Sequence, residues 1–391
     1  MFQNKPKLFY IIGSLDVGGA EQHLVNVVIS LKLLGWQPEI YVLKRGGPLT
    51  QVLNQQNIPV HGISLPSWLR FILRPAQLRL VVRLIITFLS LVRTLWLRQP
   101  DVVHFFLPDA YLLGGLASLL SRVPIKIMSR RSLNNYQNSN RLLAKLEHWL
   151  HSKMTLVCAN SQAVMSDLNR EGIEPGKLRL IYNGVDTQKY KLCSDTNEAR
   201  EKVLISEQAL VFIIVANLIP YKGHSDLIDA FSMIKNKLNQ PWILLCLGRD
   251  DGIGAQLKQK IAMNGMANNV RFLGSCTNVA DWLALADVGL LSSHQEGFSN
   301  ALLEGMAASL PMVVTDVGGN SEAVIDGETG YVVPARNPEA FANALLKISF
   351  STQRREMGQK GRQRVEKYFS MHTCIDSYAA LYGETFYESK S

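Results

Sequence analysis

A chain of 391 residues, 47% hydrophobic and 19% charged, is long enough for two domains, since single cores stop growing at about 250–300 residues. Its five cysteines (Cys158, Cys193, Cys246, Cys276, Cys374) are odd in number and hold no Cys-x-x-Cys, which argues against a disulfide frame or zinc site and for free thiols in a reducing cytosol. The net charge of +9 sits in one half: residues 1–187 hold 21 Lys+Arg against 10 Asp+Glu, residues 188–391 hold 20 against 22, and with no zinc, RNP or basic-zipper signature the anionic partner expected is a membrane surface, not nucleic acid.

The chain opens with a polar, basic segment that runs straight into "LFYIIG" at residues 8–13. That run is too short for a signal-peptide core and has no small-residue cleavage site after it. Strands are expected at "KLFYIIG", "PEIYVLK", "PVHGI", "DVVHFF", "IKIMS", "TLVCAN" and "LRLIYNG", with helical patterns between most of them. Gly18 and Gly19 precede a helix that begins near Ala20. Small residues there let the backbone approach a ligand, and the helix N-terminus supplies N–H groups and partial positive charge; a tight strand-to-helix turn explains the same residues equally well.

Residues 40–100 contain no acid. Within them, "AQLRLVVRLIITFLSLVRTLWLR" is very apolar, yet Arg83 and Arg93 leave only nine uncharged residues between them, against about 20 for a spanning helix. A transmembrane segment is therefore not expected. Arg79, Arg83, Thr87, Ser90, Thr94 and Arg98 form one helical stripe, which reads first as the solvated face of a crossover helix. The alternative is a helix, or the loop before it, lying on anionic lipid with Trp68, Phe71 and Trp96 near the interface.

The polar segment 186–208 separates this block from a second strand-rich one, with strands expected at "LVFIIVANL", "WILLCLG", "VRFLG", "VGLLSS", "MVVTD" and "GYVVP". Asn337-Pro338-Glu339 reads as a helix start. The repeated βαβα rhythm indicates two doubly wound parallel sheets, whose ligands bind beyond the carboxyl ends of the strands.

Chemistry-bearing motifs of several kinds are absent from the sequence: GxGxxG after the first strand, GK[ST], Gly-x-Ser-x-Gly and His-Glu-x-x-His. The adjacent acids of "RDDG" at 249–252 read as solvated, and no metal is expected. In "ANLIPYKGH", Lys222 follows a strand and precedes a helix, where a lysine can meet phosphate as a point charge, although a plain surface lysine is commoner. In "HQEGFSNALLEGMA", Ser299 or Asn300 can cap a helix over about 301–309, and Pro311 ends it. Backbone N–H groups around Phe298–Ala301 then suit a diphosphate. Glu296 lies in the loop and Glu304 about one turn into the helix. Two carboxylates so placed can hold vicinal hydroxyls or act as acid and base, and the spacing leaves both open.

The stretch "EGFSNALLEGMA" resembles the Glu-x7-Glu motif of retaining glycosyltransferases of family 4, which have the GT-B fold. Supporting pieces stand in the family's order: "GGAE", "PDVVH", "NSQAV", "YNGVD", "PYKGH", "VRFLG" and "VTDVGGNSEAV". The resemblance implies an α/β fold of two Rossmann-like domains facing a central cleft: an acceptor-side domain at 1–187, a nucleotide-sugar domain at 188–365, and a last helix, 366–391, crossing back to the first. It implies that Glu304 holds the donor's ribose and Glu296 contacts the transferred sugar. Gly297, Phe298, Ser299 and Asn300 would line sugar and diphosphate, and Lys222 and the Gly18-Gly19 loop would hold the phosphates. The backbone of Arg271, Phe272 and Leu273 would read the base.

Two positions depart from the family pattern. Asn217 stands where many members carry an arginine, so Arg249 becomes a candidate substitute. His104-Phe105-Phe106 stands for the frequent His-x-His, leaving His104 as a lone candidate. The activity implied is sugar transfer, with retention, from a nucleotide-diphosphate sugar to a sugar, glycan or lipid-linked acceptor. The implied setting is polysaccharide or glycolipid synthesis in the cytoplasm or on the inner face of the plasma membrane. No cofactor is implied beyond the donor itself. The rivals are an epimerase or hydrolase on the same fold and a non-catalytic nucleotide-sugar-binding subunit.

Overall fold

The computed structural model describes residues 5–64, 76–133, 141–190, 196–276 and 278–390. The chain divides into two compact units, Met1–Tyr182 with Cys374–Ser391, and Asn183–Thr373.

The first unit is built on a sheet of seven strands: β1 (Lys7–Ile12), β2 (Gln37–Val42), β3 (Val60–His61), β4 (Val102–Phe106), β5 (Ile125–Arg130), β6 (Leu156–Ala159) and β7 (Leu178–Leu180). Their order is β3-β2-β1-β4-β5-β6-β7, all parallel. Parallel pairing follows from the crossover helices, which cover the faces; strands so buried read as continuous apolar runs, as "LFYII" and "VVHFF" do. Phe9, Ile11, Val103, Phe105 and Val157 form the core with the helices above them.

The second unit has six strands: β8 (Leu210–Val215), β9 (Trp242–Leu247), β10 (Val270–Gly274), β11 (Val288–Leu291), β12 (Met312–Thr315) and β13 (Gly330–Val333). Their order, β10-β9-β8-β11-β12-β13, is also all parallel. This is the doubly wound arrangement, and the winding direction reverses between β8 and β11. The thirteen strands correspond one for one to the expected runs. Helix Pro338–Ser349 starts where expected, with the Asn337 side chain accepting from the Ala340 N–H.

Helix Ala76–Arg98 overturns one expectation. The middle of its polar stripe does not face solvent, although Arg79 and Arg98 at its ends are exposed. Thr87 is 3% exposed, Leu91 and Leu95 beside it join the first core, and Tyr41 Oη donates to the Thr87 carbonyl at 3.4 Å. Ser90 and Thr94 are partly buried on the same side, where Thr94 Oγ1 is satisfied by the Ser90 carbonyl at 2.7 Å. Short hydroxyls tolerate this position because they can bond the helix's own backbone. By length and composition alone the helix matches a spanning one, an 18-residue window within Gln77–Arg98 having a mean hydropathy of 2.0, but it serves as the crossover between β3 and β4 of one sheet. Trp68, Phe71 and Cys193 lie outside the described residues.

Candidate functional site

The carboxyl ends of β8 and β11 are adjacent at the reversal point of the second sheet, the position at which doubly wound folds bind ligands. Beyond β8, Pro220–Lys222 forms a 3-10 turn, and Gly223 follows in the left-handed conformation (φ 69°) as the N-cap of helix His224–Ile234. A Cβ on Gly223 would overlap the Ser292 carbonyl, so glycine is required both by its φ and by this approach. Beyond β11, Ser292 Oγ donates to the Lys222 carbonyl at 3.0 Å, and the His294 N–H donates to the Tyr221 carbonyl at 2.7 Å. These bonds hold the two loops together.

The result is an ion pair: Lys222 Nζ lies 2.6 Å from Glu296 Oε1, with the side chains 18% and 10% exposed. Ser293 Oγ donates to the same Glu296 oxygen at 2.6 Å. A third loop, after β12, supports Glu296 from behind. Gly319 N–H donates to the Gly297 carbonyl at 2.8 Å, and Gly318, at φ 55°, leaves no room for a Cβ against the Glu296 carbonyl.

Helix Asn300–Ala307 starts at this loop. Ser299 is its N-cap, and its hydroxyl accepts from the Leu302 N–H at 3.3 Å. The helix begins one residue before the expected range and ends two before it. Asn183 spans the start: its Nδ2 donates to the Phe298 carbonyl at 2.8 Å and to Asn300 Oδ1 at 2.7 Å. Phe298 itself is 5% exposed and its ring packs on Phe369 at 5.2 Å, so its side chain anchors the loop. Glu304 lies one turn on, hydrogen-bonded to Tyr190. Burial pushes its carboxyl up to about 7 against the opposing pull of the Tyr190 hydroxyl and Lys189. Arg362 fastens the segment that carries Tyr190, donating to the carbonyls of Tyr190 at 2.5 Å and Ala307 at 2.8 Å.

The remaining candidates separate. Asn217 Oδ1 accepts from the Arg249 backbone N–H at 3.1 Å, which ties the end of β8 to the end of β9. The Arg249 side chain forks onto Asp251 at 2.5 and 3.0 Å. Arg271 turns its guanidinium to the Val203 and Leu204 carbonyls at 2.6 and 2.7 Å, so the side chain fixes the turn that follows helix Thr196–Lys202. Phe272 packs against the second core, and Leu273 lends its carbonyl to Cys276 Sγ at 3.8 Å.

In the first unit, Gly18 is the N-cap of helix Gly19–Leu33 and a Cβ there would overlap the Glu21 carboxylate. His104 is 1% exposed. Its Nδ1 lies 2.7 Å from Tyr382 Oη and its Nε2 2.7 Å from Ser129 Oγ. Burial, with Arg131 adding to it, lowers its basicity to about 3. Both ring nitrogens are therefore committed within the unit. Among the described residues no group of three or more His, Cys, Asp or Glu is placed to hold a metal ion.

Ser293, Tyr190, Asn183, Gly223 and Gly318 join the site without having been singled out. Asn183 and Gly318 stand inside "YNGVD" and "VTDVGGNSEAV", so their motifs carried the signal. Tyr190 carried none, since its contact with Glu304 joins positions far apart in the chain.

Comparison with known proteins adds two family models, one per half. Residues 17–189 match Glycosyltransferase Family 4 and residues 195–364 match Glycosyl transferases group 1. Among curated relatives, the N-acetyl-alpha-D-glucosaminyl L-malate synthase of Bacillus anthracis is 25% identical over 382 residues, covering 96% of each chain. The UDP-Gal:alpha-D-GlcNAc-diphosphoundecaprenol alpha-1,3-galactosyltransferase of Escherichia coli is 24% identical, covering 87% of each. Among solved structures, Anabaena HepE in complex with UDP and glucose superposes with a TM-score of 0.83 at 22% identity, covering 97% of this chain and all of that one; at that identity the likeness is one of fold.

Proposed function

Because the chain belongs to the family 4 glycosyltransferases of GT-B fold, we propose that it moves a sugar, with retention, from a nucleotide-diphosphate donor to an acceptor hydroxyl in polysaccharide or glycolipid synthesis. The observation that carries the donor reading is the Lys222–Glu296 pair at 2.6 Å, set where the sheet reverses. Cleavage of the donor builds negative charge on the leaving diphosphate. Lys222 is the cation beside that position, and the amides of the helix capped by Ser299 add a fixed partial positive charge. Without ligand, Glu296 neutralises Lys222. With the donor bound, Lys222 turns to the diphosphate and Glu296 is released to accept from a hydroxyl of the transferred sugar.

Glu304, in this reading, accepts from the ribose hydroxyls, and Tyr190 orients it. Phosphate neutralisation rests on Lys222 and the helix amides, because Lys222 stands at the reversal of the sheet beside Glu296, whereas Arg249 lies exposed beyond β9 on Asp251 and Asn217 carries no charge. His104 takes no part. HepE has been solved with UDP and glucose and with UDP-glucose, and a uridine-diphosphate sugar is the first donor to test. The E. coli relative's acceptor is a diphosphoundecaprenol-linked sugar, and a lipid-linked acceptor is the first of that kind. The free buried thiols Cys158, Cys246 and Cys374 suit a reducing cytoplasm.

The test is a panel of sugar nucleotides assayed for nucleotide release with and without a lipid extract. Acceptor-dependent release with an α-linked product from an α-linked donor supports the reading. Release independent of acceptor points to a hydrolase or epimerase. Donor binding without turnover under every acceptor points to a non-catalytic subunit.

A further inference from the structure

We propose that the first unit docks on an anionic lipid surface through the outward apolar face of helix Ala76–Arg98, extended by helix Arg141–His151. The first observation is that the long helix is apolar on its outer side as well as its inner one. Its inner side carries Thr87, Leu91 and Leu95, all nearly inaccessible, while Leu78, Ile85, Leu89 and Trp96 stand outward at 47%, 52%, 60% and 66% exposure. These four recur at spacings of seven, four and seven residues and so lie on one line down the helix. A helix packed on a protein core in water ordinarily keeps only its inner stripe apolar and turns polar residues outward. An apolar surface this long marks a site of interaction.

The second observation is continuity. Helix Pro108–Leu120 packs against both helix Ala76–Arg98 and helix Arg141–His151, so the three form one layer. Helix Arg141–His151 also turns large apolar groups outward, with Leu142 at 79% and Trp149 at 48% exposure.

Charge selects the occupant. Residues 40–100 contain no acid, and Arg79 and Arg93 are exposed on the long helix. On helix Arg141–His151, Arg141 and Lys145 are exposed. Its one acid, Glu147, is 2% exposed and bonded to Arg130 at 2.5 Å. An apolar strip with cations and no exposed acid on either helix fits anionic headgroups around inserted side chains. It does not fit a second copy of itself, which would bring like charges together.

The helix has the length to span, about 34 Å at 1.5 Å per residue. Yet it is the crossover between β3 and β4 of one sheet, and its inner face belongs to the core. It therefore lies along the surface and does not cross it. This docking does not depend on the proposed transfer chemistry, and its test needs no substrate.

The experiment is flotation of the full chain with vesicles of phosphatidylcholine alone or with about a third phosphatidylglycerol, at low and high salt. Leu89→Glu/Trp96→Glu is compared with the natural chain, and thermal melting confirms that both fold. The expected result is binding to the anionic vesicles only, weakened by salt, and about tenfold or more weaker in the double variant. A second variant, Leu142→Glu/Trp149→Glu, is expected to weaken binding as well, by severalfold. Binding unaffected by lipid charge, or unchanged in a folded Leu89→Glu/Trp96→Glu variant, overturns the proposal. A natural chain that leaves all vesicles and instead dimerises, with the same variant monomeric by sedimentation, overturns it in favour of a self-association face.

Discussion

Lys222 and Glu296 show how one contact sets the chemistry of a site. The pair is largely screened from water, so removing either partner leaves a charge poorly compensated. Lys222→Ala is expected to lower kcat/KM for the donor by about 10²-fold or more, the scale of losing one preorganised stabilising group. Lys222→Arg is expected to recover it poorly, because a planar fork replaces a compact point charge; steady-state kinetics on the best donor checks both. Glu304 supplies a pH signature. Its folded carboxyl titrates at about 7 because burial disfavours the charge, whereas an unfolded glutamate titrates near about 4.3. The folded state therefore holds its proton more tightly. The stability present below about pH 4 from this group is lost as pH rises from there through 7. Hydroxyl binding needs the ionised form, so donor affinity is expected to rise over pH 6 to 8. In Glu304→Gln both trends are expected to flatten, which calorimetric titration and melting at several pH values will show.

Loops and helix ends rather than strands carry the site, and each is fixed by a small number of residues. Ser299 caps helix Asn300–Ala307, and Ser299→Ala is expected to cost about 1 kcal/mol in denaturant unfolding. Asn183 holds the same helix start through two bonds. Asn183→Ala is expected to weaken donor binding by about tenfold, since the Phe298 carbonyl loses its partner and the amides behind it lose their alignment. Gly223→Ala combines a strained φ with a backbone overlap and is expected to destabilise by about 2 kcal/mol or more, or to leave the chain unfolded. Strand and loop positions at this level were legible because a buried parallel strand is a short apolar run and a cap is one polar residue in a fixed place. The facing of helix Ala76–Arg98 was not. Its polar residues do recur on one face, but periodicity gives the angle between faces and not which of them meets the sheet.

Across the whole molecule, the last helix shows how distant chain segments complete a unit. Tyr382, from helix Met371–Glu388, meets His104 at 2.7 Å and Tyr10 at 3.1 Å inside the first unit. Tyr382→Ala is expected to destabilise that unit by about 3–5 kcal/mol, through the cavity and the unpaired His104 nitrogen together, as a lowered unfolding midpoint. The sequence by itself determined the two doubly wound sheets, the places of their strands, and the order of motifs that marks the family, because these depend on local apolar runs, turn residues and spacing. Only the tertiary structure decided that Glu296 pairs with Lys222, that Tyr190 reaches Glu304, that His104 is enclosed, and that the long helix turns a second apolar side outward. Each of these depends on which distant segments the sheet order brings together, and that is a property of packing that no local pattern contains.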